Sequence, residues 1–170
     1  ARFDLAAKGY GVVTLHRPTN VDEPTVLRRR IVELKKIARE TPLLFPVHPR
    51  TAARIEALGI KGSPHLRLIE PLGYLDFLSL LQGARFVITD SGGVQEETTF
   101  LRVPCLTLRT TTERPVTVTE GSNRLVGDDP RTLLPLVRKI GTGFKPRSTR
   151  PRFWDGRAAE RVAKIIASLV

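Results

Sequence analysis

The 170-residue sequence contains no methionine, a single cysteine and a single tryptophan. Because Cys105 stands alone, a disulfide within the chain and a cysteine-rich zinc site are both excluded. No run of about 18 apolar residues occurs, so we expect no transmembrane helix and no membrane partner. Because residue 1 is alanine rather than methionine, we expect the sequence to be a processed or excised piece of a longer protein.

Residues that could bind a metal are also few. The three histidines, His16, His48 and His65, lie far apart in the sequence. No two of them have the H-x-x-x-H spacing that would place both rings on one face of a helix. We therefore expect no structural metal.

Positive charge is present in excess, since 28 lysines and arginines stand against 17 aspartates and glutamates, a formal net charge of +11. Such a balance is typical of proteins that bind nucleic acid or other phosphate-rich ligands. Aromatic residues make up only 6% of the chain and do not alternate with the basic ones, which argues against a stacking platform for single strands. Two interpretations remain: a solvated basic surface, or attraction for a small phosphorylated ligand.

Short aliphatic strands alternate with amphipathic helices along the whole chain. In the first long helix, Leu27, Ile31, Leu34 and Ala38 recur at helical spacing and mark one buried face. This alternation predicts an α/β fold: a Rossmann-like parallel sheet with helices on both faces, in one domain covering residues 1–170. The predicted strands are 10–15, 43–47, 65–69, 86–89, 104–108 and 123–126. The predicted helices are 24–40, 52–58, 74–82, 94–100, 114–120, 133–140 and 158–169, with loops at 16–23 and 141–155.

The clearest candidate site is the segment FVITDSGGVQEE, in which a strand turns directly into a helix. Parallel sheets bind ligands beyond the carboxyl ends of their strands, at the switch in strand order. Ser91, Gly92 and Gly93 would let a phosphate approach the backbone at the helix N-terminus. Glu97, or the glutamate before it, could accept hydrogen bonds from a ribose. A turn that needs glycine, with acidic residues near the helix dipole, explains the same pattern without a ligand.

Two further candidate segments follow strands. In TLHR, His16 could donate to a phosphate or act as an acid toward a leaving group, and Arg17 could bind phosphate through two hydrogen bonds. The segment LRTTTERP aims Arg114 at the same crevice, with Glu113 placed to orient it. A hydrogen-bonded histidine and a surface ion pair are the alternatives without a ligand. Together the three segments predict a nucleotide diphosphate site at one edge of the sheet.

The segments TLHRPTNVD, ITDSGGVQEE and LRTTTERP, with FWDGRAAER near the C-terminus, together resemble the non-hydrolysing UDP-N-acetylglucosamine 2-epimerase family, over about residues 9–170. The resemblance is to the C-terminal, nucleotide-binding half of a GT-B arrangement, so it implies a missing N-terminal domain. The implied activity is an isomerase reaction without a cofactor: UDP-GlcNAc and UDP-ManNAc interconvert by elimination and re-addition of UDP. It also implies a cytoplasmic protein that serves cell-surface polysaccharide biosynthesis and a homodimeric parent.

The resemblance assigns roles to residues of this chain. It implies that His16 contacts the diphosphate and assists the departure of UDP. The other implied contacts, with the phosphates, the ribose and the uracil of UDP, are Ser91, Gly92, Gly93, Arg114, Glu97 and Phe77. Arg17 and His48 match positions that contact a second, activating nucleotide sugar in bacterial members. Because the family's proton-transfer residues lie in the N-terminal domain, this chain alone is expected to bind UDP without epimerising its sugar.

Two other functions remain compatible with the sequence. One is the nucleotide-sugar-binding half of a GT-B glycosyltransferase, whose acceptor site would lie outside this chain. The other is a basic nucleic-acid-binding module, which only the net charge suggests, and we expect no nucleic-acid partner. In the last helix, Ile165, Ile166 and Leu169 are expected either to be exposed or to drive association.

Overall fold

The computed structural model describes residues 5–143 and 151–169, and its centre is a parallel β-sheet. The strands are β1 (Gly11–Thr14), β2 (Leu43–Pro46), β3 (Leu66–Ile69), β4 (Phe86–Thr89), β5 (Cys105–Thr107) and β6 (Asn123–Leu125). The helices are α1 (Pro18–Val21), α2 (Pro24–Ala38), α3 (Pro49–Ala57), α4 (Tyr74–Gly83), α5 (Gly92–Leu101), α6 (Pro115–Thr119), α7 (Leu133–Gly141) and α8 (Ala158–Ala167), with a 3₁₀ turn at Pro130–Thr132.

The sheet has the strand order β3-β2-β1-β4-β5-β6, and every neighbouring pair is parallel. The chain builds outward from β1 to β3 on one side, then returns and builds from β4 to β6 on the other. The strand order therefore switches between β1 and β4, which pair along their whole length from Gly11 opposite Phe86 to Thr14 opposite Thr89. Crevices of this kind hold the ligands of open α/β sheets, and the predicted Rossmann-like sheet is confirmed.

Apolar helices cover both faces of the sheet. On one face, α2 and α7 bury Leu27, Leu34 and Val137 against the strands. On the other, α4 and α5 bury Leu81 and Val94. Strands covered on both sides read as continuous aliphatic runs, because neither face of them meets water. The predicted helices on both faces are thus confirmed.

The structure corrects three predicted boundaries near the site. The polar loop predicted at 16–23 contains the one-turn helix α1, which Pro18 starts at a position where no backbone donor is needed. Helix α3 begins at Pro49 rather than at residue 52, because His48 caps it by accepting a hydrogen bond from the backbone N–H of Arg50. Helix α5 begins at Gly92 rather than at residue 94, so the glycines form its first turn. Of the loop predicted at 141–155, residues 144–150 lie outside the described residues, and Gly141 is the last residue of α7.

Helix α8 differs from the other long helices because none of its residues is buried. It ends at Ala167, two residues before the predicted end. Val162, Ile165, Ile166 and Leu169 are all exposed, which agrees with the first of the two expectations for this helix. Within the described residues, no helix has the length and apolar character needed to cross a membrane.

Candidate functional site

Asp90, the residue directly after β4, organises the carboxyl-end edge of the sheet. Its side chain is fully buried and accepts hydrogen bonds from the backbone N–H groups of His16 (3.1 Å) and Arg17 (2.9 Å). The side-chain amide of Asn20 also donates to it, at 3.1 Å, and donates to the carbonyl of Leu108 at 3.2 Å. The loops after β1, β4 and β5 are therefore tied together by one carboxylate and one amide.

His16 completes the set of donors around Asp90. Its Nδ1 lies 3.1 Å from an Asp90 oxygen, and this hydrogen bond raises the pKa of His16 above its usual range, against the opposing effect of partial burial. Burial alone would raise the pKa of Asp90, but the bonds from His16 and from the Arg17 N–H outweigh it and hold that pKa low. With Nδ1 bonded to Asp90, the protonated ring keeps Nε2–H free to donate to a ligand.

A cavity of about 210 Å³ opens beside His16, on the side of the sheet that α4 and α5 cover. His48, Phe77 and Ser91 line it with His16, and the two imidazole rings lie 5.6 Å apart between centroids. The backbone turn that carries Leu72 forms part of its wall. The space suits a flat heterocyclic group held against an aromatic ring rather than a whole nucleotide.

The first turn of α5 has glycines that the fold itself does not require. Neither Gly92 nor Gly93 has a positive φ. A Cβ placed on Gly92 would have its nearest contact at 3.9 Å, with Glu113, and one on Gly93 at 4.0 Å, with Ser91. The first N–H groups of a helix have no intrahelical acceptor and attract anions. The missing side chains therefore leave room for a ligand at these donors, which favours phosphate binding over a purely structural turn.

The structure separates the two glutamates that the sequence left as alternatives. Glu96 lies 3.1 Å from the Nε of Arg114 and forms an ion pair with it. Glu97 instead has one carboxylate oxygen buried without a hydrogen-bond partner, and burial, reinforced by the charge of Glu96, raises its pKa. A buried acceptor without a donor is costly in the free chain and is satisfied when a ligand brings a hydroxyl.

Glu113 does not orient Arg114, contrary to the sequence-based expectation. It accepts hydrogen bonds from Arg17 at 2.8 Å and from Arg109 at 2.5 Å, one on each carboxylate oxygen. Hydrogen bonds from Arg109, from the backbone N–H of Glu113 itself and from Arg17, in that order of influence, lower the pKa of Glu113 to about 2. Arg114 pairs with Glu96, and Thr112 of the same loop donates a hydrogen bond to Gln95, so this loop lies against α5. The surface ion pair named as an alternative for Arg114 is therefore present in the free chain.

Sequence reasoning missed Gln95, which is fully buried under the turn before α5. Its side-chain N–H donates to the carbonyl of Ser91 at 3.1 Å. Its side-chain oxygen accepts from the hydroxyl of Thr112 at 2.6 Å and from the amide of Asn123 at 3.0 Å. Thr112 in turn accepts from the backbone N–H of Arg114. The available signal was a polar residue on the inward face of a short helix, four residues after Ser91.

The structure brings most of the predicted site residues to one edge, but it separates Arg17 from His48. His48 lines the smaller cavity, whereas Arg17 lines a second cavity on the α2 side of the sheet. Cys105 is buried in β5 and its thiol has a pKa of about 11, raised by burial, so it is no nucleophile. Within the described residues, no cluster of three or more His, Cys, Asp and Glu side chains could hold a metal.

We expect the contribution of His16 to stability to depend on pH. Since the folded-state pKa of His16 lies above its ordinary 6.5, this contribution is complete below about pH 6.5 and is lost as the pH rises through the folded-state value. His16→Gln should therefore destabilise the chain more at about pH 6 than at about pH 9, as measured by urea unfolding. His65→Gln, at an exposed histidine, is the control. A His16→Gln penalty that stayed constant or grew with pH would contradict this assignment.

A comparison with protein families matches residues 1–167 to a family described as UDP-N-acetylglucosamine 2-epimerase. The chain is 39% identical over 163 residues to the UDP-N-acetylglucosamine 2-epimerase of Methanocaldococcus jannaschii, which covers 92% of this chain and 44% of that protein. It is 38% identical over 162 residues to the UDP-2,3-diacetamido-2,3-dideoxy-D-glucuronate 2-epimerase of Pseudomonas aeruginosa, covering 95% of this chain and 45% of that one. The chain thus spans less than half the length of these relatives.

Solved structures show the same similarity in three dimensions. The M. jannaschii UDP-GlcNAc 2-epimerase in complex with UDP-GlcNAc and UDP superposes with a TM-score of 0.83, over 94% of this chain and 45% of that one, at 39% identity. An E. coli heptosyltransferase with ADP superposes with a TM-score of 0.58 over 82% of this chain and 46% of the other, at 17% identity. At that identity the second similarity shows a shared fold and nothing more.

Proposed function

The chain belongs to the UDP-N-acetylglucosamine 2-epimerase family, and from this membership we propose that it is the UDP-binding half of an enzyme that interconverts UDP-GlcNAc and UDP-ManNAc. The observation that carries the proposal is the unpartnered, buried oxygen of Glu97, one helical turn below the open N-terminus of α5. An anion at that N-terminus and a hydroxyl at Glu97 together match the phosphate and ribose of a nucleotide.

We propose one orientation for UDP along this edge of the sheet. The diphosphate lies over Ser91, Gly92 and Gly93, where backbone N–H groups and the helix dipole attract it. The ribose hydroxyls donate to Glu97, and the uracil occupies the smaller cavity beside Phe77. Arg114, on the neighbouring loop, binds the diphosphate through its guanidinium, and to do so it gives up its ion pair with Glu96.

These groups serve an elimination in which UDP leaves from C1 of the sugar. Negative charge develops on the departing diphosphate as the C1–O bond breaks, and donors fixed in advance stabilise it. Asp90 holds His16 in place and the pKa of His16 is raised, so the imidazole is protonated more readily. The protonated ring can then donate its proton to the departing UDP. The base that removes the C2 proton is proposed to lie outside this chain, in the companion N-terminal domain that completes a GT-B arrangement.

The finer assignments extend the proposal to the whole protein. We place it in the cytoplasm, acting as a homodimer that supplies sugar precursors for cell-surface polysaccharides. It requires no cofactor and no nucleic acid. Arg17 and His48 are proposed to contact a second, activating nucleotide sugar.

The proposal predicts that the chain binds UDP through Glu97. Glu97→Gln keeps the shape of the side chain but removes the charge that attracts two ribose hydroxyls. We therefore expect the dissociation constant for UDP to be about 10-fold higher. Isothermal titration calorimetry with UDP measures it, and Glu56→Gln, at an exposed glutamate of α3, is the matched control. Equal affinities of the two variants for UDP would show that Glu97 does not contact the ligand. If the unmodified chain did not bind UDP, the proposal would be refuted.

The same purified chain tests whether it can catalyse epimerisation without the proposed N-terminal domain. Incubated with UDP-GlcNAc, this chain alone is expected to form no UDP-ManNAc in a coupled assay, because the proposed proton-transfer residues are absent from it. Formation of UDP-ManNAc would show that the chain carries its own base for the C2 proton.

A further inference from the structure

Two threonines, Thr14 and Thr89, lie at the floor of the smaller cavity beside His16, where the strand order switches. They stand directly opposite each other in the paired strands β1 and β4. Side chains alternate between the two faces of a strand, and Val12 and Val87, two residues earlier, belong to the core that α4 and α5 cover. Both threonine side chains therefore lie on the cavity side of the sheet, and Thr14 lines the cavity itself.

The hydroxyl of Thr89 has two hydrogen-bond partners within the described residues. Its oxygen accepts from the backbone N–H of Ser91 at 3.0 Å, and it lies 2.7 Å from the hydroxyl oxygen of Thr14. Thr89 is fully buried, whereas Thr14 is only half-buried. Bulk water therefore does not reach the Thr89 hydroxyl, and its hydrogen bonds have to be made within this group.

The partners of Thr89 fix the direction of the hydrogen bond between the two threonines. A hydroxyl has one proton to donate, so only one threonine donates to the other. If Thr14 donated, the Thr89 proton would have no acceptor among the described residues, and a buried donor in that condition is costly. If Thr89 donates to Thr14, its proton and its oxygen are both used, since Ser91 supplies the second bond. The unused proton then belongs to Thr14, at the cavity.

The surroundings of this proton suit a neutral acceptor. Most of the residues that line the cavity are apolar, among them Leu72, Phe77 and Val94. Cavities with apolar walls and a few fixed polar groups are typical of sites for small organic molecules. A single uncharged hydroxyl matches a keto oxygen, whereas a phosphate is attracted more strongly by a guanidinium or by the N-terminus of a helix.

We propose that the Thr14 hydroxyl donates a hydrogen bond to a keto oxygen of the pyrimidine base that occupies the smaller cavity. The inference rests on the function proposed above and adds to it a binding residue that contacts the base rather than the diphosphate. Thr89 positions this donor, because its own proton takes one lone pair of the Thr14 oxygen. The Ser91 N–H in turn orients the Thr89 hydroxyl, so one chain of hydrogen bonds joins the base site to the turn before α5.

Thr14→Val and Thr14→Ser test this contact with little change in size. Valine keeps the branched shape but has no proton to donate, so we expect the dissociation constant for UDP to rise about 5-fold to 10-fold. Serine keeps the hydroxyl, and its affinity should stay within about 2-fold of that of the unmodified chain. Isothermal titration calorimetry measures both. Thr132→Val is the matched control, because it removes a threonine hydroxyl that donates to the carbonyl of Asp129, outside the cavity.

Inorganic pyrophosphate, measured by its displacement of UDP, separates a contact with the base from an effect on the phosphate-binding turn. Because pyrophosphate has no base, Thr14→Val should bind it as tightly as the unmodified chain does. An equal loss of affinity for UDP and pyrophosphate would show that Thr14 acts only through Thr89 and the turn at Ser91, and would overturn the proposal. An equal loss of UDP affinity in Thr14→Val and Thr14→Ser would overturn it too, since the hydroxyl would then not matter.

Stability and binding are measured separately. Thr14→Val leaves the buried Thr89 proton without an acceptor, so it should melt at a lower temperature than the unmodified chain, and its affinities are measured below the start of unfolding. If the unmodified chain does not bind UDP, the proposed function is wrong and the contact from Thr14 fails with it. If UDP binds to the unmodified chain and to Thr14→Val with equal affinity, only the contact from Thr14 is excluded.

Discussion

Asp90→Ala is expected to lower the free energy of unfolding by about 3–5 kcal/mol, the cost typical of removing one partner from a buried charged pair. The carboxylate accepts two backbone N–H groups, one side-chain amide and one imidazole N–H. Alanine leaves all of these donors facing an empty space in the interior. Urea unfolding at neutral pH measures the loss, and UDP affinity should fall with it because the loop that carries His16 loses its anchor.

An exposed ion pair provides the control for Asp90. Asp155 pairs with Arg161 at the surface, where such pairs contribute little. Asp155→Ala should therefore change the stability far less than Asp90→Ala, and similar penalties for the two would contradict the central role of Asp90. Since the pKa of Asp90 is lowered from its ordinary 3.8, the stability that it contributes is present above about pH 3.8 and is lost as the pH falls through the folded-state value.

The sheet could be predicted from the sequence because its signals are local. Strand β4 was placed with its observed bounds, since a continuous apolar run ends there in Asp90 and a glycine turn. The location of the chemistry-bearing loops at one edge of the sheet then follows from the rule that ligands bind beyond the carboxyl ends of parallel strands. Helix α1 was missed because a four-residue helix has too few positions to show any periodicity.

The pairing of charges could not be predicted, because it depends on contacts between distant segments. Glu113 is adjacent to Arg114 in sequence, yet its partners are Arg17, which is 96 residues away, and Arg109. The same holds for Asp90, whose donors come from a loop 70–74 residues earlier. Sequence spacing predicts which groups carry the chemistry, and only the fold shows which of them have hydrogen-bond partners within the chain.

Two of the four buried side-chain polar atoms that have no hydrogen-bond partner in the described residues lie on opposite sides of one ion-paired row. Glu97 is an acceptor without a donor on the α5 side, and Arg30 is a donor without an acceptor on the α2 side. Between them, Arg17, Glu113 and Arg109 satisfy one another.

Gln95 connects the phosphate-binding turn to the loop of Arg114, so it should affect binding as well as folding. Gln95→Leu removes the acceptor of Thr112 and Asn123 and the donor to the Ser91 carbonyl. With several buried polar groups left unpaired, we expect a loss of about 2–4 kcal/mol in unfolding free energy. UDP affinity, measured by calorimetry where the variant is fully folded, should also fall. Gln82→Leu, at an exposed position of α4, is the control, and an equal penalty there would show that Gln95 is not needed to hold the two loops together.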